Sequence, residues 1–169
     1  MSSESTESSP GPGLAGGCLC GEVRFLARPD KAEGYYCHCR MCQRAFGNTR
    51  AAFINLRKDQ VEWSGTPPTF YASSKLAQRG FCGRCGTPLS FEYVTSERID
   101  LAVGSLDDPA AVKPVSHFAV ESRIAGWHAD DGLPGERLDS NAKMIERWRD
   151  AYGANVQPGL AAVRQAGDG

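Results

Sequence analysis

Three cysteines crowd into the short stretch "CHCRMC", at Cys37, Cys39 and Cys42. In an extended segment residues two apart point the same way, so Cys37 and Cys39 can offer two sulfurs to one ion, and the chain turns to bring in Cys42. Four more thiols stand in two pairs, Cys18-Leu19-Cys20 and Cys82-Gly83-Arg84-Cys85. The second pair, in "FCGRCGTP", has glycines where the backbone must turn closely around a metal, a strong zinc signature. Seven thiols make one closed four-thiolate site and leave three. Cys18 and Cys20 combine naturally with Cys82 and Cys85, which leaves the local trio together. The spacing alone also permits Cys39 and Cys42 to join Cys82 and Cys85.

A structural zinc takes four protein ligands, whereas a catalytic one keeps three and an open position. The histidines available to close the trio are His38, His117 and His128. If the "CHC" stretch is extended, the His38 ring points away from the metal its neighbours would share. His117 and His128 can reach the trio only through the fold, and either would turn the site into a closed structural one.

The elements that must position these thiols are mostly short strands. "GEVRFLA" alternates, with Val23 and Phe25 on one face. "AAFINL", "VEW", "PLSFEYV" (Leu89, Phe91 and Tyr93 on one face), "RIDLAVGSL" and "VSHFAVES" follow, punctuated by Gly and Pro. The pattern predicts a mainly β, antiparallel fold. One helix is expected over Ser140 to Tyr152, capped by Asp139 or Ser140, with Met144, Ile145, Trp148 and Tyr152 on its packing face and Gly153 at its end. Residues 1–15, rich in Ser, Gly and Pro, are expected to form a disordered tail. Residues 16–153 are expected to form a single zinc-binding domain, and residues 154–169 a loose end.

With 169 residues, a net charge of -1 and a pI near 6.3, the chain has neither the basic surface of a nucleic-acid binder nor a membrane-spanning run. The start lacks the layout of a signal peptide. Clustered cysteines in odd number fit metal binding in a reducing cytoplasm better than disulfides. A thioredoxin-like role for Cys82 and Cys85 is excluded because a strand, not a helix, follows them.

In this order, "GGCLCGEVRF", "CHCRMCQRAFG", "FCGRCGTPLSF", "GSLDDP" and "WHADDGLP" resemble the glutathione-dependent formaldehyde-activating family, which includes centromere protein V-like proteins, from about Gly16 to Pro134. The resemblance implies a β-tent of antiparallel sheets stapled by zinc, with two zinc ions per chain. It implies a structural zinc on Cys18, Cys20, Cys82 and Cys85. A second, catalytic zinc is implied on Cys37, Cys39 and Cys42, its fourth position open to a substrate thiol. The implied activity is that of a carbon-sulfur lyase, reversibly joining glutathione and formaldehyde as S-(hydroxymethyl)glutathione. The same centre acting on another thiol adduct or small electrophile, or a non-catalytic zinc module, are the alternatives.

A zinc with three thiolates carries a formal charge of -1, so cationic neighbours are expected. Arg40 and Arg44 flank the trio, with Arg50, Lys75 and Arg79 further away; Arg44 is the first choice to grip a glutathione carboxylate. His117 is expected to be a buried hydrogen-bonding histidine and Asp131 a turn-forming side chain. Trp63, Trp127 and the Tyr35-Tyr36 pair are expected to be core or pocket walls.

Overall fold

The structure, a computed structural model, describes residues 13–127 and 129–153. The expected tails fall almost wholly outside the described residues, and so does His128. One boundary shifts. The first strand, β1, runs Leu14–Gly17 and so begins inside the stretch assigned to the tail. Leu14 is buried and the strand pairs antiparallel with β2 (Val23–Ala27), so the apolar "LAGG" is held by a sheet edge rather than left loose.

Two sheets carry the fold. The smaller one orders β1, β2 and β5 (Val61–Gly65). The larger has eight strands. Its edge-to-edge order runs β11 (Gly135–Glu136), β10 (Lys113–Phe118), β3 (Glu33–Cys37), β4 (Ala51–Arg57), β9 (Arg98–Ala102), β8 (Pro88–Tyr93), β7 (Ala77–Phe81) and β6 (Thr69–Ala72). The antiparallel expectation fails at one edge, where β10 lies parallel to both β3 and β11. β10 reaches β3 only after the chain has passed through β4 to β9, a crossover long enough to permit parallel pairing.

The central strands of the larger sheet have neighbours on both faces, which decides where the site lies. One face packs Ile54, Leu56, Ile99 and Leu101 against Val23, Phe25 and Ala27 of the small sheet. The alternate residues of the same strands, Phe53, Asn55 and Asp100, face a cavity on the other side. Leu89, Phe91 and Tyr93 do not share a face. Gly80 pairs with Ser90 and Phe81 with Pro88, so Leu89 is an extra, bulged residue. The bulge sends Leu89 to the inter-sheet core while Phe91 and Tyr93 face the cavity.

Two α-helices stand among the described residues, α1 (Arg40–Phe46) and α2 (Ala142–Tyr152), with short 3-10 turns elsewhere. The cap of α2 is Asn141, whose side chain accepts from Met144 N, rather than Asp139 or Ser140. Met144 and Trp148 are buried as expected. No helix among the described residues is long and apolar enough to cross a membrane.

Candidate metal centres and the cavity above one of them

The two cysteine groups are built by different kinds of local structure. Cys18 and Cys20 follow β1, while Cys82 and Cys85 occupy the turn between β7 and β8. That turn closes with Gly86 N donating to Cys82 O, and Gly86 adopts φ 75°, which suits glycine. All four sulfurs lie within 4.8 Å of one another. The Cys18–Cys20 and Cys20–Cys82 separations, 3.5 and 3.7 Å, approach the roughly 3.8 Å edge of a zinc–thiolate tetrahedron. This donor set fits a zinc ion. Since β1 and β2 belong to the small sheet and β7 and β8 to the large one, the cluster ties the two sheets together.

Cys37, Cys39 and Cys42 gather where β3 passes into α1. Cys37 ends the strand, Cys39 is the helix N-cap and accepts from Cys42 N at 3.3 Å, and Cys42 lies in the first turn. Gly47, at φ 56°, ends this seven-residue helix in the left-handed conformation. Gln43 holds the helix in place, donating to His38 O and Ser122 O. The three sulfurs also lie within 4.8 Å of one another.

Their crowding has an electrostatic cost. Hydrogen bonds from Cys37 and Cys42 hold Cys39 well below the usual thiol range. Hydrogen bonds with Cys39 and Cys42, together with burial, push Cys37 well above it. One sulfur ionises at the others' expense, and only a cation among them would let all three do so. The donor set therefore fits a metal ion, with three protein ligands.

Above the trio opens a cavity of about 460 Å³, lined by all three cysteines. Two buried charged groups stand in its wall. Arg79, buried on β7, donates from Nη2 to the Cys42 sulfur at 3.5 Å and stacks over the Phe91 ring at 4.8 Å. Its Nη1 is buried with no hydrogen-bond partner. Asp100, buried on β9, accepts from Asn55 Nδ2 at 2.9 Å and from Tyr35. Burial raises its carboxyl to about 6, against the pull of those hydrogen bonds.

The family match covers residues 13–122, on the sequence profile described as "Glutathione-dependent formaldehyde-activating enzyme". The chain belongs to that family. The match includes all seven cysteines and stops short of "WHADDGLP", β11 and α2. A curated relative, an uncharacterised lyase of Schizosaccharomyces pombe, is 33% identical over 86 residues. That alignment spans 51% of this chain and 62% of the relative's length. A crystal structure of a Rhodobacter sphaeroides protein overlaps 72% of this chain and 99% of its own, at 19% identity and a TM-score of 0.46.

Within this family member, the cations expected near the trio separate. Arg44 is exposed on α1 and lines a neighbouring groove with Tyr71 and Phe81; Met41 and Arg79 line both groove and cavity. Arg79 is the one that reaches a trio sulfur. Arg50 stacks instead on Tyr36, and Lys75 on Tyr152. His38 is buried, its Nε2 lying 2.8 Å from His117 Nδ1, and His117 Nε2 donates to Asp131 at 2.9 Å. His117 Nδ1 meets His38 and Nε2 meets Asp131, so both its ring nitrogens are committed. Asp131 also accepts from Leu133 N, as a turn-forming side chain does. Tyr35 lines the cavity, Trp63 packs on the inter-sheet core and Trp127 is exposed.

Asp100 was not among the expected site residues. Its only sequence signal is a lone acid in the apolar run "RIDLAV". Because its carboxyl titrates near 6 in the fold and near 3.8 when exposed, the folded form binds the proton more tightly. Its contribution to stability is therefore full below about pH 4 and falls by about 3 kcal/mol as pH rises to about 6. Chemical denaturation across that range should show Asp100→Asn lacking this decline. Wild type serves as the reference, so that the pH dependence of the metal centres cancels.

Proposed function

We propose that this protein is a carbon-sulfur lyase that adds a thiol, glutathione or one like it, across the carbonyl of formaldehyde or a related electrophile, and reverses the addition. The observation that carries this reading is the three-cysteine cluster forming the floor of a cavity, beside a four-cysteine cluster that ties the sheets. On this reading Cys18, Cys20, Cys82 and Cys85 hold a structural zinc. Cys37, Cys39 and Cys42 hold the catalytic one. When bound, the catalytic zinc would keep the substrate thiol ionised and beside the carbonyl.

The chain's own groups have distinct tasks. Arg79 offsets the negative charge of the thiolates and directs its unpartnered Nη1 to developing negative charge on the carbonyl oxygen. Asp100 carries the proton, taking it as the thiol ionises and returning it, through a water or Tyr35, to the oxygen once the S–C bond has formed. The C=O π pair becomes the new hydroxyl, so the proton and electrons balance. Arg44, at the mouth, meets a carboxylate of the thiol substrate. The catalytic domain is taken as a single unit ending with α2, working in the cytoplasm.

The test is zinc X-ray absorption with and without glutathione, followed by magnetic resonance of ¹³C-formaldehyde conversion. A sulfur ligand gained at one of two zincs, with conversion faster than in buffer, is the expected result. Cys37→Ser should lower conversion roughly 100-fold or more while the four-cysteine zinc stays bound. Chelator should strip the three-cysteine site first. Two zincs indifferent to glutathione, with no conversion, would overturn the proposal.

A further inference from the structure

The cavity is poorly matched to formaldehyde. Its walls are Phe53, Phe91, Leu76, Leu138, Met144 and Trp148, and its charged side chains among the described residues are Arg79, Asp100 and Glu136, with His117 beside them. Formaldehyde has one carbon, while about 460 Å³ is roughly fifteen times the liquid volume of a water molecule. Glutathione fits the interior no better. Its two carboxylates and ammonium group would lose water against aromatic walls with one guanidinium to meet them, a costly exchange. Arg44 and the adjoining groove offer its charged ends a place outside.

The origin of the walls sharpens the point. Leu138, Met144 and Trp148 come from the segment beyond residue 122, outside the family match. Met144 and Trp148 are spaced one helical turn apart on α2, and the Tyr93 hydroxyl reaches the Met144 sulfur at 3.2 Å. Thus the trio and its cradle belong to the matched region, while one apolar wall is supplied by this chain's own C-terminal part.

We infer that the cavity over the three-cysteine centre selects an electrophile with an apolar body, an aromatic or branched aldehyde, and that α2 is its specificity wall. This rests on the thiol–carbonyl reading above. The addition keeps the same balance: an S–C bond forms, the C=O π bond breaks, and the thiol proton ends on the oxygen. The thiol's polar part stays at the mouth, and the aldehyde's apolar part lies against Met144 and Trp148.

Two measurements on the zinc-loaded full chain separate the inference from that reading. Calorimetry compares benzyl mercaptan with 2-mercaptoethanol, and magnetic resonance follows adducts of glutathione with formaldehyde and with phenylacetaldehyde. Benzyl mercaptan should bind roughly ten-fold tighter or more, and phenylacetaldehyde should be the better substrate by a similar factor. Ala77→Leu, which fills the cavity from β7, and Met144→Gln, which makes the wall polar at nearly constant size, should each remove most of both preferences. Binding of 2-mercaptoethanol should stay within about two-fold. Equal binding of the two thiols, or a preference untouched by both variants, overturns the inference even where formaldehyde is converted. No conversion of either aldehyde, alongside the variant-sensitive binding preference, overturns the lyase reading and leaves the cavity's selectivity for apolar groups standing.

Discussion

On the proposed reading, Cys82→Ser should cost the protein the metal ion of its four-cysteine group and most of its folding stability. Cys82 is buried to 1% exposure, and its sulfur lies 3.7 Å from Cys20, which comes from the other sheet. Its backbone also closes the β7–β8 turn, donating to Thr87 O and accepting from Gly86 N. Serine preserves size and turn geometry, so the substitution acts chiefly on the metal. A hydroxyl is a poor replacement for a thiolate, and three remaining ligands would leave the knot weak. Structural zinc contributes about 10–16 kcal/mol of binding energy in small zinc domains, whereas a whole domain is stable by only about 5–15 kcal/mol. Loss of even a third of the former should lower the melting temperature by roughly 10–20 °C. Metal analysis and thermal unfolding together check this. A variant with full metal content that melts within a few degrees of wild type would show that the cluster is not a structural zinc site. The contrast with Cys37→Ser matters. The trio joins β3 to the adjacent α1, a local connection, so on the proposed reading losing a metal there should affect conversion far more than folding.

How much of this was legible in the sequence follows from which interactions are local. The two cysteine groups could be read because metal ligation leaves a spacing signature, and the fold sorts the seven thiols into the four and three that counting favours. The strand carrying Val23 and Phe25 was legible because one face is core and the period is two, and the one carrying Ile99 and Leu101 because its apolar residues alternate with Asp100 in sequence. The stretch Leu89 to Tyr93 was not. A bulge is set by the partner strand, and nothing within "PLSFEYV" marks the residue that goes unpaired. Helix α1 was hidden for another reason. Seven residues carry too little periodicity, and Cys39 serves as N-cap where Ser, Thr, Asp or Asn would announce a start. Arg44 took precedence over Arg79 because it is two residues from Cys42, yet a helix turns it outward to solvent. Arg79 lies 37 residues away in sequence and is delivered to the sulfur by β7.

The second large effect concerns that arginine, where function and stability should move in opposite directions. Arg79→Met should lower conversion roughly 100-fold while leaving the melting temperature unchanged or higher. A charge-assisted hydrogen bond contributes about 1.5–3 kcal/mol, and Arg79 is asked for two: one to the Cys42 sulfur and one to the oxygen that gains charge during addition. Losing both interactions in the transition state corresponds to about two or more powers of ten in rate. A metal at the trio should also bind more weakly, because the thiolates lose the guanidinium that donates to Cys42. The folded protein has less to lose. Nη1 is buried without a partner, an arrangement that itself costs about 1–3 kcal/mol. Methionine fills nearly the same space beside Phe91 without that cost. Arg79→Lys keeps the charge but not the forked geometry, and should recover only part of the rate. Kinetics of adduct formation, zinc affinity and thermal unfolding on the three proteins decide the matter. A slow but equally or more stable Arg79→Met protein is the expected outcome. A destabilised one with normal turnover would make Arg79 a packing residue and return Arg44 to consideration as the principal cation. A buried donor without a partner is tolerated where the missing partner arrives with the substrate, and on the proposed reading that partner is the oxygen of the electrophile.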